Sequence, residues 1–121
     1  MTKSVLALGL DPAVADFTEF PHLTPELIRA FIESELERVR SLGYRVDGCL
    51  VDLGETGEAV AARHLDARRF DCVVIGAGLR APRHLLLFEK LVNLVHERAP
   101  HARICFNSSP ADTAEAVQRW I

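Results

Sequence analysis

Residues 70–83 read Phe70-Asp71-Cys72-Val73-Val74-Ile75-Gly76-Ala77-Gly78-Leu79-Arg80-Ala81-Pro82-Arg83. An unbroken apolar run bounded by turn residues suits a strand buried on both faces, as in a parallel sheet. The run ends in Gly-Ala-Gly, a turn that lets backbone come close to whatever lies above it, and Arg80, Arg83 and His84 follow. A buried strand and the mouth of a site therefore meet in one short segment.

Working outward, Ser4 to Leu10 is a second continuous apolar run, and Tyr44 to Asp52 and Ala102 to Asn107 read as two further strands. Helical patterns separate them. Thr24-Pro25-Glu26 opens a helix, with Thr24 as N-cap, proline where its missing N–H costs nothing, and an acid at the positive end of the dipole. Leu27, Ile28, Phe31, Ile32, Leu36, Val39 and Leu42 follow at the 3.6-residue period, and Gly43 supplies the stop. A shorter helix is expected from a Thr56 cap to about Arg68, with Val60, Ala61 and Leu65 inward and His64 beside them as a packing residue. A third, from about Pro82 to Ala99, places Leu85, Phe88, Leu91, Val92, Val95 and Ala99 on one side. Leu87 and Leu94 widen that stripe, either to cover more sheet or to offer a self-association face. Ser109-Pro110-Ala111-Asp112 imitates a capping box and starts a last helix whose inward face is Val117, Trp120 and Ile121.

Strand and helix thus alternate four times, with connections long enough for right-handed crossovers. The expected fold is a doubly wound, three-layer α/β/α domain covering residues 1–121. Its four-stranded parallel sheet has order 2-1-3-4, the flavodoxin-like arrangement without the fifth strand. The missing strand leaves an edge at residues 102–107 that must be short, covered or paired with a second copy. At the level of fold the layout resembles response-regulator receivers and, over Phe70 to Gly78 with the following helix, universal stress proteins. Receivers carry an acidic pair after the first strand and an aspartate after the third; here stand Asp11 alone and Ile75-Gly76. The universal stress pattern closes with Gly-Ser or Gly-Thr, which residues 81–99 lack. Neither family's activity carries over, since fold alone does not give function.

The composition, 49% hydrophobic and 26% charged with seven glycines, is that of an ordinary globular domain. A formal net charge of −3 gives no general attraction to nucleic acid or to an anionic membrane. No apolar run approaches the roughly 20 residues that span a bilayer, and the N-terminal residues lead into a strand rather than a signal-peptide core. A cytoplasmic location is expected. Cys49, Cys72 and Cys105 sit inside apolar runs with no CxxC spacing, which suits reduced, buried thiols and no metal site.

In such sheets ligands bind beyond the carboxyl ends of the strands where their order reverses, here between strands 1 and 3. Two segments border that crevice: Gly76 to His84, and an aperiodic loop from Asp11 to Leu23, long against a median of about four to six residues. The loop, carrying Asp16, Phe17, Glu19, Phe20 and His22, reads as a lid or as a plug of the sheet edge. Gly76, Gly78, Arg80 and Arg83 would suit a phosphate or carboxylate, with Asp11 and Ser108 alongside. The alternative is that the arginines pair with Asp11, Asp16 or Glu19. The third glycine of GxGxxG is missing and no GxxxxGK[ST] occurs, so no nucleotide or other cofactor is specified. Asp11, His22 and His84 are the candidates for proton transfer, although their spacing defines no named reaction. The expectation is an anionic small molecule in this crevice; the other reading is an interaction module with no small-molecule site, forming a homodimer or docking onto a partner through Leu87 and Leu94 or the strand 4 edge.

Overall fold

A computed structural model describes residues 2–121. Its strands are β1 (Ser4–Leu10), β2 (Arg45–Val51), β3 (Cys72–Ile75) and β4 (Arg103–Cys105), all parallel in the order β2-β1-β3-β4. Between and after them run α1 (Pro25–Ser41), α2 (Glu55–Ala67), α3 (Leu85–Arg98) and α4 (Thr113–Gln118), with short 3₁₀ turns ahead of α3 and α4. This is the three-layer arrangement that alternation implies, flavodoxin-like in strand order and lacking a fifth strand.

Alternation along the buried strands divides the apolar residues between two cores. Leu6, Leu8 and Leu10 of β1 join Val73 and Ile75 of β3 against Ala61 and Leu65 of α2 and Leu91 and Val95 of α3. Val5, Val46, Cys72, Val74 and Cys105 face the other way, against Leu36 and Val39 of α1 and Ala114, Ala116 and Val117 of α4. Phe70, 1% exposed, fills the first core just before β3 begins. The edge strand β4 is three residues long, which leaves little ladder to pair.

Local signals explain most boundaries. The Thr24 hydroxyl accepts the Leu27 N–H at 3.1 Å, and Gly43, at φ 100°, ends α1. Ser109 and Asp112 form a complete capping box around the 3₁₀ turn (Pro110–Asp112) that leads into α4. Four expectations are corrected. The cap of α2 is Gly54, at φ 112°, and Thr56 lies within the first turn. α3 begins only at Leu85, after a 3₁₀ turn (Pro82–His84); at this helix start Leu85 and its neighbour Leu86 are exposed, and the covered stripe begins with Leu87 and Phe88. Trp120 lies beyond the last turn of α4 and is exposed, its ring 5.7 Å from the Arg103 guanidinium carbon. Leu27, Phe31 and Leu42, assigned to the inward stripe of α1, are exposed. Leu87 and Leu94 are half-buried and pack against the α2/α3 core, so the wide stripe serves to cover it.

Among the described residues, no helix is long and apolar enough to cross a membrane.

Candidate functional site

On the α1 side, the sheet changes character along its length. At the amino ends of the strands Val5, Val46 and Cys72 are buried beneath the helices. Two and four residues further on, the same face of β1 presents Ala7 and Gly9, and β2 presents Gly48, directly opposite Ala7 in the ladder. These three positions are not buried, although β1 is an interior strand. α1 behaves in the same way: its buried residues are Leu36 and Val39, both in the C-terminal half, whereas Ile28 and Ile32 are only half-covered. At Ala7, Gly9 and Gly48 the sheet offers little or no side chain to fill the gap, and the amino half of the helix does not close onto it.

A cavity of about 520 Å³ results. Its floor is Ala7, Gly9 and Gly48; one wall is Ile28, Ile32 and Leu36 of α1; the far end is Gly76, Ala77 and Gly78 after β3. Phe17 and Ala15, from the long first loop, line the mouth. This volume lies within the range of small-molecule pockets, roughly 300–1,000 Å³, and the mainly apolar lining with a few polar groups is typical of them.

Few polar groups reach the cavity. Arg29 and Glu33 lie one turn apart on α1. Arg29 Nη2 is 2.7 Å from Asp11 Oδ1, and Glu33 Oε1 is 2.9 Å from Arg40 Nη1. Asp11 ends β1 and caps the 3₁₀ turn (Pro12–Val14) that follows, its carboxylate accepting the Ala13 N–H at 2.9 Å. That backbone hydrogen bond, assisted by Arg29, holds the Asp11 carboxyl below the usual aspartate range. Opposite, buried Asn107 accepts the Ala77 N–H at 3.1 Å and donates to Thr113 Oγ1 at 3.0 Å, fixing the turn after β3 against the start of α4.

The sequence-predicted residues divide into three groups. Gly76 and Gly78 line the cavity; Asp11 does not, but it is paired with Arg29, which does. Arg80 is turned inward and donates to the Ile75 and Asn107 carbonyls, with its guanidinium 5.0 Å from the centre of the Phe106 ring. Its partners are thus backbone oxygens rather than Asp11, Asp16 or Glu19. Burial lowers the Arg80 pKa from its ordinary value. Ser108 donates its hydroxyl to Asp112 at 2.7 Å.

Arg83 and His84 border a different, shallower groove beside Leu53, Gly54 and Leu86, and the Arg83 Nε–H points to His84 Nε2 at 3.4 Å. His22 is exposed in the long loop. Among the described residues, no histidine lines the main cavity. Of that loop, Phe17 is half-buried at the cavity mouth while Phe20 is exposed.

Ala7, Gly9, Gly48, Ile28, Ile32 and Arg29 are the residues that sequence reading passed over. Part of their signal was available, since Ala7 and Gly9 are small residues at alternate positions of one strand; that Gly48 lies beside them follows only from the strand register. No protein-family description matches the chain, and no curated protein is similar to it in sequence. Fold and site together define a doubly wound α/β domain with an apolar cavity on one face of its switch point.

Proposed function

We propose that this is a cytoplasmic binding domain for a small anionic molecule with a substantial apolar part, held where β1 and β3 end. The observation that carries the reading is the incomplete cover over Ala7 and Gly9 on the α1 face of β1. A well-packed interior leaves few voids larger than a water molecule, and an interior parallel strand is ordinarily covered on both sides. An open cavity of about 520 Å³ over Ala7 and Gly9 departs from both expectations in a way that a bound molecule accounts for. Arg29 supports the anionic part. Three unpaired buried thiols suit a reducing compartment.

The direct check is a fragment screen by amide NMR on the labelled full chain. The reading requires hits that shift Ala7, Gly9, Gly48 and Ile32 together. Hits confined to Arg83 and His84, or no hits at all, would count against it.

A second reading, self-association, is favoured by the exposure of Leu85 and Leu86, 60% and 72%. It involves the opposite face of the sheet and is compatible with the first.

A further inference from the structure

The lining of the cavity constrains its ligand further, on the premise that the cavity is a binding site. Among the described residues, Arg29 is the one cationic side chain lining it and Glu33 the one acidic. Glu33 already has Arg40 as its counter-ion, at 2.9 Å. Arg29 is held by a single contact, Nη2 to Asp11 Oδ1 at 2.7 Å, and its side chain remains 47% exposed. A guanidinium has five donors in a planar fork suited to a carboxylate, so one monodentate contact leaves most of that capacity unused. Asp11 keeps one hydrogen bond if Arg29 turns away, because the same oxygen accepts the Ala13 N–H.

Charge count limits the guest to one negative charge. Glu33 lines the cavity and Asp11 stands 2.7 Å from Arg29, so a dianion would meet two carboxylates with one shared arginine. Shape limits its body. Gly9 and Gly48 bring no side chain of their own, Leu50 Cδ2 and Leu36 Cδ1 lie beside them, and Ile28 and Ile32 line the α1 wall, which makes a narrow space with apolar sides. A flat apolar ring suits such a space, with the Leu36, Leu50, Ile28 and Ile32 side chains at its edges and faces.

From these constraints we infer that the cavity takes an aromatic monocarboxylate, whose ring lies on the Ala7–Gly9–Gly48 floor and whose carboxylate displaces Asp11 from Arg29. The displacement is an exchange of one carboxylate for another on the same guanidinium; Asp11 keeps its Ala13 N–H hydrogen bond but gives up its counter-ion, which lowers the net gain. Asp11 is then a built-in competitor for the anion position.

Calorimetric titration of the full chain with 2-naphthoate, 2-naphthamide and 2-naphthyl phosphate tests this. Naphthoate is expected to bind at least tenfold more tightly than either comparator. Arg29→Gln should bring naphthoate down to the level of the amide. Asp11→Asn retains an oxygen for the Ala13 N–H while removing the competing charge, and should tighten naphthoate several-fold. Melting temperatures of both variants confirm that each is folded. Equal binding of naphthoate and naphthamide would overturn the inference while leaving the apolar cavity as the site; tighter binding of the phosphate would overturn it in favour of a dianion site. Binding of none of the three to the wild type would remove both the inference and the reading beneath it.

Discussion

Arg80 shows how a residue's chemistry and its duty can part. By position, next to a glycine turn at a strand end, it is an anion contact; in the fold it ties the ends of β3 and β4 together through the Ile75 and Asn107 carbonyls. Arg80→Ala should therefore lower stability by about 1.5–3 kcal/mol, the range for hydrogen bonds involving a charged group, and urea melts measure it. An unchanged midpoint would return Arg80 to the role its position suggests. Asp112 is the complementary case, where local sequence was enough. It accepts the Ser108 hydroxyl, which with the Ser108 and Ser109 amides holds its carboxyl below the ordinary 3.8. With the folded value depressed, the unfolded chain binds the proton first. The contribution is present above the ordinary value and is lost as pH falls through the folded one. Asp112→Asn should cost about 1 kcal/mol near neutrality, as caps do, and that gap from wild type should narrow as melts are taken below pH 4.

At the scale of elements, the strands were legible because burial on both faces demands continuous apolar runs, and α1 and α4 because Thr24, Ser109 and Pro110 are strong starting signals. The start of α2 was not. Thr56 has the right chemistry for a cap, but Gly54 takes the positive φ needed at the turn, and side-chain preference yields to that backbone requirement. Gly57 illustrates the same priority inside the helix. A Cβ there would come within 2.4 Å of the Asp52 carbonyl oxygen, so α2 sits against the end of β2 at that residue. Gly-to-Ala replacement in a helix ordinarily gains about 0.5–1 kcal/mol; Gly57→Ala should instead lose stability, read as a drop in melting temperature. A rise would mean that β2 and α2 separate easily. The apolar stripe of α1 was legible as periodicity, yet which of its residues are covered depends on how the helix lies on the sheet. No periodicity encodes that. Leu27 and Phe31 therefore stand exposed beside an open cavity rather than inside a core.

At the scale of the molecule, the crevice between β1 and β3 followed from strand order alone, while the character of its contents did not. Sequence reading looked for cations around the Gly76–Gly78 turn, whereas the larger feature is a missing surface on β1 and β2, visible only once Ala7, Gly9 and Gly48 are known to share a face. Self-association has its own test: if Leu85 and Leu86 form a contact between copies, Leu86→Glu should convert a dimer to a monomer in light scattering, and a monomeric wild type would remove that reading. The central claim is that the cavity is maintained for a ligand rather than left by poor packing. Gly9→Val tests it most directly. An added Cβ meets only Leu50 Cδ2, at 3.4 Å, so the residue is tolerated, while its methyl groups project into the cavity. Melting temperature should hold or rise, since a β-branched residue replaces glycine in a strand, and binding of 2-naphthoate followed by amide NMR should be lost. Gly9→Val binding the carboxylate as well as wild type, with the same amides shifting, would contradict the account.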